Sequence, residues 1–124
     1  MPRVSLFILI CLMLAAPASA VQDLQALVDA APPGSTLVVP AGVYGPIHVG
    51  QPLTLVGEPG ATIDGGGEGD VVILGHHDSE IRGFTIRGSG ESLDKENAGV
   101  RVLGDRTRVI GNRFEDVLFG VDLK

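Results

Sequence analysis

The sequence contains very little sulfur, and all of it lies near the N-terminus. The one cysteine, Cys11, and the two methionines, Met1 and Met13, fall within the first 20 of 124 residues. A chain that loses those 20 residues has no thiol for a disulfide. It also has no thiolate or thioether ligand of the kind that Cu(I) prefers. Such a chain is expected to be held together by packing and hydrogen bonds.

Removal of the first 20 residues is expected, because they have the pattern of a cleavable signal peptide. Arg3 precedes an apolar run over residues 4–16, and Ala18-Ser19-Ala20 provides the small residues that signal peptidase requires. The run is short for a transmembrane helix, which needs about 20 apolar residues, so a membrane anchor is the less favoured interpretation. We predict cleavage after Ala20, a periplasmic location and no membrane insertion of the mature chain.

The sequence also lacks an excess of positive charge. It has 9 Lys and Arg against 15 Asp and Glu, a net charge of −6, and loss of Arg3 with the signal peptide would make this −7. An acidic chain is repelled by phosphate backbones and by anionic lipid. Nucleic acid is therefore not expected to be a partner.

Helical periodicity is confined to one short segment after residue 20. Leu24, Leu27 and Val28 recur at the spacing of one helix face, and Pro32-Pro33-Gly34 ends the pattern. These residues predict a helix over residues 21–31, within an N-terminal capping segment of residues 21–34. The remainder consists of apolar runs of three to six residues between turn residues, which are very short for the strands of a sandwich.

A repeat determines how these short runs are expected to assemble. Residues 72–86 align with residues 100–114 at an offset of 28 without a gap, and residues 99–102 recur as residues 120–123 at an offset of 21. We interpret the shorter interval as one coil, and the longer as a coil plus an insert over residues 89–97. Periods of this size indicate solenoids. We predict an all-β, right-handed parallel β-helix over residues 35–124, with the short N-terminal helix covering its open top.

The turn residues fit that geometry. Asn112 follows Gly111 at a strand corner, where asparagine tolerates the left-handed conformation and can bond to a neighbouring coil. Glycines with positive φ are expected between the strands. These are Gly57, Gly65, Gly75, Gly83, Gly88, Gly104 and Gly111.

Four segments carry a resemblance to known families. VPAGVY (residues 39–44) and ATIDGGG (residues 61–67) resemble the first coils of the pectate-lyase-like β-helix superfamily, which contains lyases, hydrolases and non-enzymes. IRGSGESLD (residues 86–94) and NRFEDVLFGVDL (residues 112–123) are similar to the NosD family of periplasmic copper-processing proteins.

The second resemblance covers essentially the whole predicted mature chain and implies a function. It implies a non-enzymatic role in assembling the copper centre of nitrous oxide reductase, together with an ABC-type ATPase and permease. Members of that family continue for many more coils, so the chain is expected to be an N-terminal portion. The strand at residues 120–123 is then expected to be covered by further chain or by a partner.

His76-His77-Asp78 is the one cluster in the sequence with metal-ligand character. Adjacent histidines on a strand point to opposite faces, so both can reach one ion only from a turn, and their position between Gly75 and Ser79 indicates a turn. A specific site normally needs three or four ligands, so solvated turn residues are the favoured interpretation. No bound cofactor is predicted for this chain, and copper is left as a candidate ligand of the full-length system.

The insert over residues 89–97 allows two interpretations. It interrupts a regular coil and carries the acidic residues Glu91, Asp94 and Glu96. It is either a tolerated surface loop or a contact for a partner protein. Because the segments that flank the insert resemble the NosD family, we give the two interpretations equal weight.

Two alternatives of other classes remain, a secreted polysaccharide lyase or glycosidase of the same fold and a structural β-solenoid. A glycosidase needs two carboxyl groups on one face, roughly 5 to 10 Å apart, and a lyase needs a carboxylate cluster that holds Ca²⁺ beside a basic residue. Arg82 and Arg87 have no such cluster beside them in the sequence. No catalytic residue is predicted, because the acidic residues are spread around corners: Asp64, Asp70, Glu115, Asp116 and Asp122.

Overall fold

The computed structural model describes residues 23–124. The predicted signal peptide and its cleavage site, with residues 21 and 22 of the predicted helix, lie outside the described residues. Within the described part there is one helix, α1 (Leu24–Ala30). The strands are β1 (Ser35–Val39), β2 (Gly42–Tyr44), β3 (Ile47–Val49), β4 (Leu53–Gly57), β5 (Ala61–Asp64), β6 (Val72–Leu74), β7 (Glu80–Arg82), β8 (Thr85–Arg87), β9 (Ala98–Val102), β10 (Arg108–Ile110), β11 (Arg113–Glu115) and β12 (Phe119–Leu123).

The strands form three parallel sheets of four strands each. The first sheet has the order β1-β4-β7-β10, the second β2-β5-β8-β11 and the third β3-β6-β9-β12. Every third strand along the chain is therefore a neighbour in the same sheet, which is the topology of a coil with three strands per turn. The predicted parallel β-helix with a short helix is confirmed.

The sequence repeat corresponds to the register of the sheets. Ile81 pairs with Val109 and Ile86 with Phe114, both at the offset of 28. Val100 pairs with Val121 at the offset of 21. The longer interval includes the insert, which lies between β8 and β9. Because each coil stacks in register on the previous one, equivalent side chains form columns through the molecule.

These columns make up the core. Along most strands the buried positions alternate with more exposed ones, as in β3, β4 and β5, so the coils contribute apolar side chains to the interior of the helix. Continuous β-branched and aliphatic columns are what a buried parallel sheet requires. The columns include Leu37-Leu55-Ile81, Tyr44-Ile63-Ile86 and Val49-Leu74-Val102, all buried.

Helix α1 packs against the first coil and bonds to its free edge. Its N-cap, Asp23, accepts a hydrogen bond from a backbone N–H of the first turn, and Leu24 and Val28 are buried. The Gln25 side chain accepts from the backbone N–H of His48 at 2.7 Å and donates to the His48 carbonyl at 2.9 Å. A side-chain amide thus substitutes for a neighbouring strand at this edge of β3. No helix within residues 23–124 is long and apolar enough to cross a bilayer.

The expectation of positive φ is right for only some of the glycines. Gly83, Gly88 and Gly111 have φ of 81°, 76° and 62°. The other four are not left-handed, and that part of the prediction is wrong. They are needed for space instead, because stacked coils lie close together: a Cβ on Gly104 would overlap the His76 carbonyl group, and one on Gly75 would overlap the His48 side chain. The four are Gly57, Gly65, Gly75 and Gly104.

Asn112 connects two coils, as expected, although Gly111 and not Asn112 adopts the left-handed conformation. Its side-chain oxygen accepts a hydrogen bond from the backbone N–H of Phe84 at 3.0 Å. Its amide nitrogen donates to the carbonyl of Ile81, also at 3.0 Å. The asparagine therefore satisfies two backbone groups at a corner where the strands of adjacent coils cannot pair directly.

Candidate partner-binding site at the insert

Arg101, on β9, fixes the insert to the coil. Its guanidinium donates two hydrogen bonds to Asp70, from Nε to Oδ2 at 2.7 Å and from Nη2 to Oδ1 at 3.1 Å. A third goes from Nη1 to Asp122 Oδ2 at 2.8 Å. Nη2 also donates to the carbonyl oxygens of Lys95 and Glu96 at 2.8 and 2.9 Å. One side chain thus connects the end of the insert with carboxylates of two other coils.

This cluster is largely shielded from water. The side chains of Arg101, Asp70 and Asp122 are 14%, 13% and 21% exposed. The hydrogen bonds to Asp70, and then the negative charges of Asp70 and Asp122, raise the pKa of Arg101 above its usual value. The cluster was not predicted from the sequence. The repeat offset of 21, which places Arg101 beside Asp122, is the signal that could have identified the pair.

Buried polar side chains hold the rest of the insert. Ser89 is 4% exposed, and its hydroxyl oxygen accepts from the backbone N–H of Leu118 at 2.9 Å. Asn97 is 5% exposed, and its side-chain oxygen accepts from the backbone N–H of Ser92 at 3.0 Å. The insert is therefore an ordered loop with internal hydrogen bonds, and it is attached to the following coil.

An open groove of about 510 Å³ lies between the insert and the turn that joins β11 to β12. One wall is formed by the insert, where the Leu93 side chain is largely exposed, and the other by residues 116–118. The groove is lined by Gly67, Gly88, Ser89, Glu91, Leu93, Asp116, Val117 and Leu118. It combines apolar side chains with two carboxylates.

The three acidic residues predicted to contact a partner have different environments. Glu91 is exposed and lines the groove. Asp94 is exposed but does not line it. Glu96 is exposed as well, and its carboxylate forms an ion pair with Lys124 of the last coil. Only Glu91 therefore belongs to the groove, and a role of any of the three in partner binding stays a prediction.

His76, His77 and Asp78 lie in a turn, and two of them bond to the turn of the next coil. His77 Nδ1 accepts from the backbone N–H of Asp105 at 2.7 Å. Asp78 accepts from Arg106 Nε at 2.8 Å, and this bond lowers the pKa of Asp78. Among residues 23–124, no three His, Cys, Asp or Glu side chains form a group that could hold a metal ion. Solvated turn residues, and not a metal site, remain the favoured interpretation of this turn.

Four of the five acidic residues considered for enzymatic chemistry pair with arginines, and Asp116 forms no ion pair with any residue from 23 to 124. Asp64 Oδ2 accepts from Arg87 Nε at 2.9 Å, and Glu80 lies 3.1 Å from Arg82. The pKa of Asp64 is lowered, first by a hydrogen bond from the Gly66 N–H and then by Arg87. Arg87 and Arg82 therefore each form an ion pair with a carboxylate. A carboxyl group that is paired in this way is poorly suited to act as a general acid, because the ion pair stabilises its deprotonated form.

One curated protein gives a significant sequence match. The chain is 33% identical over 86 residues to "Probable ABC transporter binding protein NosD" of Stutzerimonas stutzeri, a stretch that is 67% of this chain and 20% of that protein. This stretch is NosD-like. The chain spans about a fifth of the length of this relative. No family model matches the chain, and no solved structure matches it. The resemblance to the pectate-lyase-like superfamily stays a prediction.

Proposed function

We propose that this β-helix acts as a periplasmic, NosD-like maturation factor that assists assembly of the copper centre of nitrous oxide reductase together with an ABC transporter. The observation that supports the proposal is the match to a protein named as an ABC transporter binding protein. The periplasmic location follows from the signal peptide predicted over residues 1–20. The proposed role is to bind other proteins and not to catalyse a reaction.

The architecture suits a binding role. Stacked coils form a rigid support, and the Arg101 cluster holds the insert against it. Beyond residue 20 the sequence has no cysteine or methionine, so it offers no soft ligand for Cu(I). We therefore assign to these coils contacts that bring other proteins of the system together.

Gene deletion in the native host tests the proposal. The deletion strain is expected to accumulate nitrous oxide and to contain a reductase that lacks copper, measured by gas chromatography and by metal analysis of the purified enzyme. The intact gene should restore both, whereas a version without residues 1–20 should restore neither. Crosslinking in the intact strain should recover the transporter with this chain.

Two results would contradict the proposal. One is a deletion strain that reduces nitrous oxide at the wild-type rate and contains a fully copper-loaded reductase. The other is cleavage of pectin or another uronide polymer by the purified protein, because this would place it among the enzymes that the same fold supports.

A further inference from the structure

The groove beside the insert has two carboxylates without a partner among the described residues. Glu91 and Asp116 line it, and neither forms an ion pair with any residue from 23 to 124. The arginine in the strand before each of them is already paired, Arg87 with Asp64 and Arg113 with Glu115. No lysine or arginine lines the groove. The negative charge of this surface is therefore available to a cation from outside the chain.

The same groove presents an exposed apolar surface. The Leu93 side chain is 70% exposed, in an insert that is otherwise polar or glycine, and Val117 and Leu118 lie on the opposite wall. Val117 and Leu118 are half-buried, and apolar side chains left partly exposed along a groove favour an occupant that can cover them. An occupant that matches both features has an apolar side chain beside at least one positive charge.

The two walls are fixed relative to each other before any ligand binds. The Ser89 hydroxyl accepts from the Leu118 N–H at 2.9 Å, and the Gly88 N–H donates to the Asp116 carbonyl at 3.1 Å. Asp116 itself has a φ of 51°, in the left-handed region that aspartate adopts more readily than most non-glycine residues. A preformed groove of this kind loses little conformational entropy on binding.

We propose that this groove binds a positively charged peptide segment of a partner protein. In this arrangement an apolar side chain packs between Leu93 and Val117, while flanking lysine or arginine side chains pair with Glu91 and Asp116. The inference deepens the proposed function and rests on it, because it gives the chemistry of one partner contact. The volume of about 510 Å³ is that of a pocket for a few side chains, and the net charge of −6 attracts a basic segment over longer distances.

Titration with short peptides tests the inference. The purified protein, labelled with ¹⁵N, is titrated with the peptide Gly-Lys-Leu-Lys-Gly while amide chemical shifts are followed by NMR. Shifts are expected in the insert and at residues 116–118, and they should weaken as salt is added. Two control peptides, with glutamate in place of both lysines or serine in place of the leucine, are expected to bind more weakly.

Variants separate binding in the groove from general attraction between charges. Leu93→Ser and Glu91→Lys are expected to weaken binding by about tenfold each, through lost apolar contact and lost charge pairing. Asp94→Asn is the matched control, because Asp94 is an exposed acidic residue of the same insert that does not line the groove. It should change the affinity by less than about twofold. Circular dichroism checks that each variant is folded.

Three results would overturn the inference. The first is an absence of shifts at the groove with the basic peptide, and the second is equal weakening by Asp94→Asn and Glu91→Lys. The third is a concentration-dependent dimer whose interface covers the groove, which would assign the surface to a second copy of this chain. If the peptide fails to bind while the deletion strain still lacks the copper centre, the groove is excluded and the proposed function stands.

Discussion

Replacing Arg101 with methionine removes the guanidinium that connects the carbonyls of Lys95 and Glu96 in the insert with Asp70 and Asp122. Methionine keeps the apolar length of the side chain, so the change isolates the guanidinium. It leaves Asp70 without its counter-charge, whereas Asp122 keeps an ion pair with Lys124 at 3.2 Å. Breaking a buried charge pair in this way costs about 3 to 5 kcal/mol. Because Asp70 keeps some access to water and a hydrogen bond from the Ala98 N–H, we expect a cost of about 3 kcal/mol, the lower end of that range.

A loss of that size is readily measured. Domains of this size have free energies of unfolding of about 5 to 15 kcal/mol, so about 3 kcal/mol corresponds to a fall in Tm of roughly 10 to 20 °C. Urea unfolding followed by circular dichroism gives the free energy directly. Arg82→Met is the matched control. The Arg82 side chain is 51% exposed and pairs with Glu80, and a surface pair of this kind contributes less than about 1 kcal/mol.

Hydrogen exchange distinguishes loss of the cluster from general destabilisation. Without Arg101 the carbonyls of Lys95 and Glu96 lose their donor, so exchange should accelerate in the insert before it does in β4 or β7. Adding Asp70→Asn to Arg101→Met should recover part of the lost stability, because it removes the charge that Arg101 no longer compensates. The reasoning is refuted if Arg101→Met costs no more than Arg82→Met, or if exchange in the insert stays unchanged.

Three further predictions concern the coil itself. Asn112→Ala should lower the free energy of unfolding by about 2 kcal/mol in urea titrations, because two backbone groups of the preceding coil lose their partner. Gly104→Ala should cost about 2 kcal/mol or more, since its Cβ would overlap the backbone of the neighbouring turn, whereas Gly50→Ala, with open space around it, should cost less than about 1 kcal/mol. Asp64 has a lowered pKa when folded, so its contribution to stability is present above the ordinary aspartate pKa of about 3.9 and is lost as the pH falls through the folded value. Asp64→Asn should therefore be less stable than the wild type at pH 6, with a difference that shrinks under acid.

The fold could be predicted because in-register stacking leaves a trace in the sequence. Wherever consecutive coils have similar turns, equivalent residues recur at a constant offset, as Ile81 and Val109 do. The first coils were harder to align, because Leu37 pairs with Leu55 at an offset of 18 and Ile63 with Ile86 at an offset of 23. Loops of different length between the strands change the offset without changing the stacking.

Sequence pattern was less informative about why particular residues occur. A glycine in a turn can serve positive φ or close approach, and the choice depends on the distance to the next coil. Gly111 is left-handed, whereas Gly104 lies against the backbone of the His76 turn, one coil earlier. The neighbouring coil determines which of these two roles a glycine has. The sequence of a single turn contains no information about that coil.

The candidate site shows the same limit. The insert and its acidic residues could be recognised, because they interrupt a repeat. The groove could not, because its second wall, residues 116–118, belongs to the next coil. Similarly, Asp122 could have been placed beside Arg101 by the repeat, but Asp70 lies in an irregular loop before β6 and has no equivalent in the other coils.

The position of the groove between two coils has a consequence for binding. The contacts that hold the insert include Asp122 and Leu118 of the last coil. That coil is the least buried part of the core, since Val121 and Leu123 are 41% and 72% exposed. A ligand that touches both walls binds only when this coil is ordered. Its apparent affinity therefore depends on the fraction of molecules in which the last coil is ordered. By the same linkage, a ligand in the groove stabilises the last coil. A contact that packs against Val121 and Leu123 also orders that coil, and it strengthens binding at the groove without touching the groove.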